Sequence, residues 1–247
     1  MTTTASDRPG PSELLPAHLE ACLNLVPDFV RDLLVQWPGQ LVLAGGFVRA
    51  VVAGEKPRDV DVFAPSGEVA QEAARQVSEG ELADGKLRAS KNSITVPAGS
   101  LPVQLIYRWP FDEPEQVIER FDLTIAAAAV WSDGSGWRSA VGPRFYKDLE
   151  ARRLVYLSPV REEDAGGSLL RVLKFYRRGY KISLGSLGRV VARLISAAPA
   201  RIAGGTEAEM ATRLENLLYA VGNDSDVDDP GDPTCLPYGG AAEDAGK

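Results

Sequence analysis

The stretch Leu41–Phe63, with the sequence LVLAGGFVRAVVAGEKPRDVDVF, decides the fold of this chain. Its apolar start predicts a buried strand at Gln40–Ala44, and the paired glycines Gly45–Gly46 predict a turn that main chain or ligand can approach closely. A short amphipathic helix is expected at Phe47–Ala53, followed by a second strand at Arg58–Phe63. The stretch therefore predicts a strand–turn–helix–strand unit.

Two aspartates on the second predicted strand indicate a metal site. Asp59 and Asp61 are separated by one apolar residue, and side chains two apart in a strand share a face. Val60 and Val62 then point the other way, into a core. Two adjacent carboxylates repel each other and attract a divalent cation. We therefore expect Asp59 and Asp61 to bind Mg²⁺ or Mn²⁺ in a site that handles phosphate.

The spacing of these residues resembles a known signature. Twelve residues separate Gly46 from Asp59, and a valine follows each aspartate. This resembles the DNA polymerase beta-type nucleotidyltransferase superfamily, and most of all the head domain of bacterial poly(A) polymerases and CCA-adding tRNA nucleotidyltransferases. The positions that match the first motif of these enzymes are Gly45, Gly46, Val48, Arg49, Gly54, Pro57, Arg58, Asp59 and Asp61. Ala50 stands where the family has an aspartate.

Two later segments are similar to further motifs of the family. The segment Arg120–Ile125 resembles Arg-Arg-Asp-Phe-Thr-Ile-Asn, but Phe121 replaces an arginine and Ala126 the asparagine. Glu163–Asp164, followed by Leu169–Arg171 and Lys174–Phe175, resembles the motif EDPLRLLRAVRF. The spacing from Asp164 to Arg171 is one residue longer than in that motif, and the first arginine of the motif has no counterpart. In CCA-adding enzymes that arginine helps to select C and A. Its loss, and the absence of sequence for tRNA-gripping domains, argue against CCA addition.

The resemblance leaves the third catalytic carboxylate open. The superfamily uses three, and the comparable strand here, Val103–Arg108, carries Gln104 near the expected glutamate. Asp122 is the alternative source. If neither supplies a carboxylate, the protein is a catalytically weakened relative that binds a nucleotide or nucleic acid.

The family resemblance implies a metal-dependent nucleotidyltransferase. Such an enzyme transfers a nucleoside monophosphate from an NTP to a hydroxyl, at an RNA 3′ end or on another acceptor, and releases pyrophosphate. The resemblance assigns catalysis to Asp59, Asp61 and Asp122. It assigns nucleotide binding to Gly45, Gly46, Arg49, Arg58, Arg120, Arg171 and Lys174.

The fold class expected from the chain is α/β (α+β), with a mixed antiparallel sheet flanked by helices and followed by a small helical segment. We predict a head domain over residues 12–157 and a helical, neck-like segment over 158–221. The polar ends, 1–11 and 222–247, have compositions typical of disorder. Leu123–Trp131 and Trp137–Val141 predict a hairpin across SDGSG, and Glu113–Arg120 predicts a helix.

Charge is unevenly distributed along the chain. The formal net charge is −7, yet the residues after Gly222 hold seven acids against Lys247. Between Arg144 and Arg193 there are twelve Lys or Arg residues against five acids. This basic stretch suits an anionic substrate, or it is a solvated helix surface.

Several function classes are disfavoured by composition. A single histidine, His18, and two cysteines, Cys22 and Cys235, do not support a histidine triad, a multi-histidine metal centre or a cysteine zinc site. No GxxxxGK[ST] motif indicates a P-loop. No apolar run has the roughly 18 residues that a membrane span needs, and no signal peptide is visible. A cytoplasmic protein without a membrane partner is the expectation.

Overall fold

The computed structural model describes residues 12–79, 87–96, 101–159, 165–197 and 205–222. The described residues fall into two units, which divide between residues 159 and 165. The predicted disordered ends lie outside the described residues, apart from Gly222. The acids of the third motif, Glu163 and Asp164, also lie outside them.

Strands of the first unit build its central sheet. They are β1 (Val42–Ala44), β2 (Val60–Phe63), β3 (Arg88–Ala89), β4 (Ser93–Val96), β5 (Val103–Ile106), β6 (Ala128–Ser132) and β7 (Trp137–Val141). Short strands β8 (Arg153–Leu154) and β9 (Lys181–Ile182) follow later in the chain. The seven-stranded sheet has the order β3-β4-β5-β2-β1-β6-β7. Only β2 and β5 in this sheet pair in parallel, and its other neighbours are antiparallel.

Helices flank this sheet. The first unit contains α1 (Pro16–Leu25), α2 (Asp28–Gln36), α3 (Gly46–Val52), α4 (Gly67–Glu79) and α5 (Phe145–Glu150), and two 3₁₀ helices at Pro114–Arg120 and Thr124–Ala126. The second unit contains α6 (Ala165–Arg177), α7 (Leu184–Ala197) and α8 (Glu207–Gly222). The mixed, mostly antiparallel sheet flanked by helices confirms the predicted fold class.

The two faces of the sheet have different covers. Helices α2, α3 and α4 pack against its strands. On the other face, Val42 and Ala44 of β1 and Phe63 of β2 join an apolar cluster with the 3₁₀ helix at Pro114–Arg120. Because strand residues alternate between faces, Asp61 shares the face of Phe63, beside this apolar cluster.

Several predicted boundaries shift in the structure. The two strands of the deciding stretch begin at Val42 and Val60, two residues later than expected, so Asp59 lies just before β2. The hairpin is confirmed, with Ser132 opposite Trp137, but its first strand is shorter because a 3₁₀ turn occupies Thr124–Ala126. The segment at Pro114–Arg120 is a 3₁₀ helix, closed by a reciprocal cap between Glu113 and Gln116.

The helices of the second unit pack on helix α6. Helix α6 packs against both α7 and α8. At its C-terminal end the rings of Phe175 and Tyr180 meet edge to face, with centroids 5.3 Å apart. None of the helices in the described part of the chain is long and apolar enough to cross a membrane.

Candidate functional site

The turn after β1 requires glycine. Gly45 has φ 78° and ψ −124°, a conformation that L side chains rarely adopt. A Cβ built on Gly45 would also lie 2.8 Å from Cε1 of Phe121. Backbone geometry and the neighbouring ring therefore both select glycine here, and the turn delivers the chain directly into α3.

The second glycine lies beside the first aspartate. A Cβ built on Gly46 would lie 3.8 Å from Oδ1 of Asp59, so the turn and this carboxylate are neighbours. Asp59 is half-buried and precedes β2. The missing side chain at Gly46 leaves space against the carboxylate for a ligand atom.

Asp61 lies beside Gln104 on the adjacent strand. Strands β2 and β5 run parallel, and Asp61 is in register with Gln104. Both residues are half-buried, on the sheet face that Phe63 shares. Neighbouring strands are about 4.8 Å apart, so the amide is the cross-strand neighbour of the carboxylate. Gln104, which the family resemblance aligns near a glutamate, is therefore the cross-strand neighbour of Asp61.

The donors at this place fit a divalent cation. Two half-buried carboxylates and an amide oxygen are hard oxygen ligands of the type that Mg²⁺ and Mn²⁺ prefer. Asp122, the other candidate for a third carboxylate, is buried, with 3% of its surface exposed. Among the described residues, no three His, Cys, Asp or Glu side chains group closely enough to hold a metal ion. The catalytic role assigned to Asp122 stays a prediction.

The segment that carries Asp122 is held by distant parts of the first unit. The Asp122 carbonyl accepts a hydrogen bond from the Leu157 amide at 2.8 Å. Thr124 donates its hydroxyl to Oδ2 of Asp148, also at 2.8 Å. These contacts hold the chain on both sides of Leu123.

Asp148 is fully buried and accepts more than the Thr124 hydroxyl. Arg144 donates from Nε at 3.0 Å and from Nη2 at 2.9 Å, in a bidentate pair. Arg153 contributes a further cation, 3.5 Å away. The hydrogen bonds to Asp148 and its negative charge raise the pKa of Arg144. A buried carboxylate therefore anchors the turn of the second motif.

Arg49 of the first motif is buried in α3, where it forms an ion pair. Its Nη1 lies 2.7 Å from Oε2 of Glu55, and only 5% of the Arg49 side chain is exposed. Ala50 occupies the family's aspartate position, and its carbonyl accepts the Glu55 amide at 2.8 Å. Glu55 therefore supplies a carboxylate next to the arginine although the motif aspartate is missing.

Three aromatic rings pack together on the sheet face that Phe63 shares with Asp61. Phe63 stacks on Trp109 with ring centroids 5.2 Å apart, and Phe121 meets both rings edge-on at 5.7 Å. Phe121 stands where the resembling family has an arginine. At this position the chain packs an apolar ring against the Gly45 turn instead of a cation.

The remaining predicted nucleotide-binding cations are spread over both units. Arg58 is exposed just before Asp59, and Arg120 is half-buried at the end of its 3₁₀ helix. Arg171 and Lys174 lie on α6 of the second unit, both half-buried. Their contact with a nucleotide stays a prediction.

Two titratable side chains of α1, those of Cys22 and His18, are used for packing. Burial raises the pKa of the Cys22 thiol to about 12, so it is protonated and unreactive at neutral pH. His18 stacks on Tyr146, and its Nδ1 lies 3.0 Å from the Tyr146 hydroxyl oxygen.

Sequence reasoning missed two residues and one contact of this region. Glu55 carries a local signal, since an acid five residues after Ala50 can return to Arg49 across the end of a short helix. Asp148 carries none, because its link to Thr124 exists only in the fold. The contact of Phe121 with Gly45 is equally non-local.

Comparisons with solved structures agree with this fold. The Thermotoga maritima CCA-adding enzyme complexed with tRNA is similar over 82% of this chain and 55% of its own, with a TM-score of 0.53 and 18% identity. A CCA-adding enzyme in complex with ATP is similar over 81% of this chain and 49% of its own, with a TM-score of 0.56 and 20% identity. The chain thus spans about half the length of these proteins, and at such identity the likeness shows a nucleotidyltransferase-type fold.

A comparison with curated proteins finds no match. The profile of the Gad2 family, described as Gabija anti-defense 2 family protein, matches residues 19–152. That range includes the glycine turn, both aspartates, Gln104 and the second motif. Because the match covers more than half of the 247 residues, the chain belongs to the Gabija anti-defense 2 family.

Proposed function

We propose that this protein binds an NTP with a divalent cation at Asp59 and Asp61 and transfers the nucleoside monophosphate to an acceptor hydroxyl, releasing pyrophosphate. One observation carries the proposal. The carboxylate of Asp59 lies against Gly46, and Asp61 lies two residues on, at the mouth of a turn that has no side chain. Carboxylates and an open backbone turn are together suited to a cation–phosphate ligand.

Each residue of the site has a separate task in this proposal. Asp59 and Asp61 hold the cation, which when bound neutralises phosphate charge and orients the phosphates for in-line displacement. Gly45 and Gly46 keep side chains away from the place where the phosphates enter. Arg58, next to Asp59, offers a cation to the phosphates from the solvent side. Positioning and charge, rather than a histidine base, then do the chemistry.

The family and the fold point to the acceptors worth testing. The similar structures are described with tRNA, ATP and CTP. The family description names an action against Gabija. Acceptor hydroxyls on RNA and on Gabija proteins are therefore the two classes to compare.

A second candidate function is nucleotide binding without transfer. Gln104 beside Asp61 favours it, because an amide is neutral and cannot replace a carboxylate as a base or as an anionic ligand. Such a protein would retain the ligand and the cation but would leave the NTP intact.

The test measures pyrophosphate release and label transfer from each α-labelled NTP, with Mg²⁺ or Mn²⁺ and with tRNA, an RNA oligonucleotide or Gabija proteins as acceptor. We expect wild type to label one of them. Asp59→Asn and Asp61→Asn should each lose at least about a hundredfold of this rate, since the lost charge stabilisation amounts to several kcal/mol.

Asp32→Asn is the matched control, because Asp32 is an exposed aspartate of α2. It should transfer as wild type does. Full activity in both site variants would place the chemistry elsewhere. Nucleotide binding with no transfer to any acceptor would favour the second candidate.

A further inference from the structure

The neutral residue at the metal site points to how many cations the site binds. Gln104 is in register with Asp61 on the parallel neighbour strand, on the face that carries the aspartates. A glutamine offers one neutral carbonyl oxygen to a cation, whereas a glutamate offers two oxygens and a negative charge. This position therefore offers a cation one oxygen atom and no charge.

The charges of the protein donors balance one divalent cation. Asp59 and Asp61 together carry two negative charges when ionised. The triphosphate supplies anionic oxygens to the cation that it accompanies, whereas a second cation would depend on further protein carboxylates. The described residues group no third acid with this pair. Asp122 is buried in a segment that Leu157 and Asp148 hold in place.

We infer that the Asp59–Asp61 site binds a single divalent cation together with the nucleotide, and that Gln104 is the residue that sets this number. The inference rests on the proposed function, since it concerns the same site. It makes Gln104 a specificity-determining residue: its amide permits the cation that accompanies the phosphates and provides no anionic ligand for another.

The experiment counts Mn²⁺ by electron paramagnetic resonance, with the full chain and a non-hydrolysable NTP analogue. Free and bound Mn²⁺ give different signals, so the count does not depend on catalysis. Wild type should bind one Mn²⁺ in the ternary complex. Gln104→Glu should bind two, because the new carboxylate lies beside Asp61. Gln71→Glu, at an exposed glutamine of α4, is the matched control and should stay at one.

A second measurement checks that Gln104→Glu folds and acts through the cation. Without metal, three carboxylates at one place repel each other and should lower the melting temperature. Added Mn²⁺ should then raise it more than in wild type. A variant that merely fails to fold would show no such recovery.

The outcomes separate the two proposals. Two Mn²⁺ bound by wild type, or one bound by a folded Gln104→Glu that retains nucleotide affinity, would overturn the inference about Gln104 and leave the site intact. Unchanged Mn²⁺–nucleotide binding in Asp59→Asn with Asp61→Asn would overturn the proposed site itself. Failure of wild type to bind the Mn²⁺–nucleotide complex would overturn both.

Discussion

The glycine–aspartate region, residues 41–63, and the second-motif region, residues 120–126, are held in place by different kinds of contact. In the first region β1 pairs directly with β2, and Arg49 of α3 pairs with Glu55 just beyond its end. In the second region Thr124 bonds to Asp148 and the Asp122 carbonyl to Leu157. Both regions also contact later parts of the chain, but only the first contains a strand pair and an ion pair within itself.

The two regions also differ from the resembling poly(A) polymerase and CCA-adding motifs in different ways. In the first region the lost motif aspartate at Ala50 is offset by a nearby glutamate, so the arginine retains an acidic partner. In the second region, Phe121 stands where the resembling motif has an arginine. Its ring packs against Phe63 of β2 and Trp109, which follows β5. The first region has an acid beside its arginine, and the second has a packed aromatic ring where the resembling motif has an arginine.

The largest effect is expected from removing Asp148, the buried carboxylate that holds Thr124. Asp148→Ala removes a buried carboxylate and leaves Arg144 and the Thr124 hydroxyl without it. We expect a loss of about 3 kcal/mol in the free energy of unfolding, near the low end for such a deletion because Arg144 is partly exposed. Urea denaturation followed by circular dichroism measures it.

Two further variants test whether the loss of stability comes from the buried carboxylate. Asp148→Asn keeps an acceptor for Thr124 and should cost less than Asp148→Ala. Asp32→Ala, at an exposed position of α2, should change stability by no more than about 0.5 kcal/mol. An Asp148→Ala variant as stable as Asp32→Ala would show that the anchor contributes little.

Sequence was sufficient for most of the fold because its main signals are local. The alternation of Asp59, Val60, Asp61 and Val62 and the glycine pair fix a strand and a turn over a few residues. The hairpin around Asp133 is local in the same sense. The errors occur at strand starts and in 3₁₀ segments, where pairing partners or distant packing set the boundary.

The candidate site was only partly predictable for the same reason. The register of Asp61 with Gln104 needs the parallel pairing of β2 with β5, which no local pattern specifies. The segment of Asp122 is held by Leu157 and Asp148, which follow it in the chain. A resemblance to a family could name these positions, but only the fold shows which side chains are neighbours.

The two regions contact each other where the Phe121 ring lies against Gly45. Gly45→Ala forces an L residue to φ 78° and brings its Cβ to 2.8 Å from the Phe121 ring. We expect it to lose about 2 kcal/mol of stability. In a Phe121→Leu background the ring atoms are gone, so the additional cost of Gly45→Ala should fall by at least about 0.5 kcal/mol.

Gly54→Ala is the matched control for this cycle. Gly54 also has a positive φ, 68°, but nothing lies within 4 Å of the place its Cβ would take. Its cost, about 1 kcal/mol, should be the same in both backgrounds. Equal costs of Gly45→Ala with and without the phenylalanine ring would mean that backbone strain alone selects glycine there.

A smaller effect is expected within the first region. Glu55→Gln retains a hydrogen-bond acceptor for Arg49 but removes its charge. Because the Arg49 side chain is 5% exposed, we expect a loss of about 1 kcal/mol. Glu20→Gln, at an exposed position of α1, should be neutral. A Glu55→Gln variant that matches Glu20→Gln in urea would show that Arg49 does not depend on this pair.

The smallest effect concerns a turn that is purely local, the β6–β7 hairpin. Asp133 accepts the Ser135 hydroxyl and amide at 2.8 Å and Arg138 Nε at 2.6 Å. The hydrogen bonds from Ser135, with those from Arg138 and the Gly136 amide, hold the pKa of Asp133 well below its usual range.

A lowered folded-state pKa stabilises the protein above the ordinary aspartate pKa of about 3.9, and this contribution is lost as pH falls further. The stability difference between wild type and Asp133→Asn should therefore be constant from pH 7 to 5 and shrink below about pH 4. A difference that stays constant or grows on acidification would mean that the turn does not depend on the ionised carboxylate. The hydrogen bonds that an asparagine could also accept would then be sufficient for this turn.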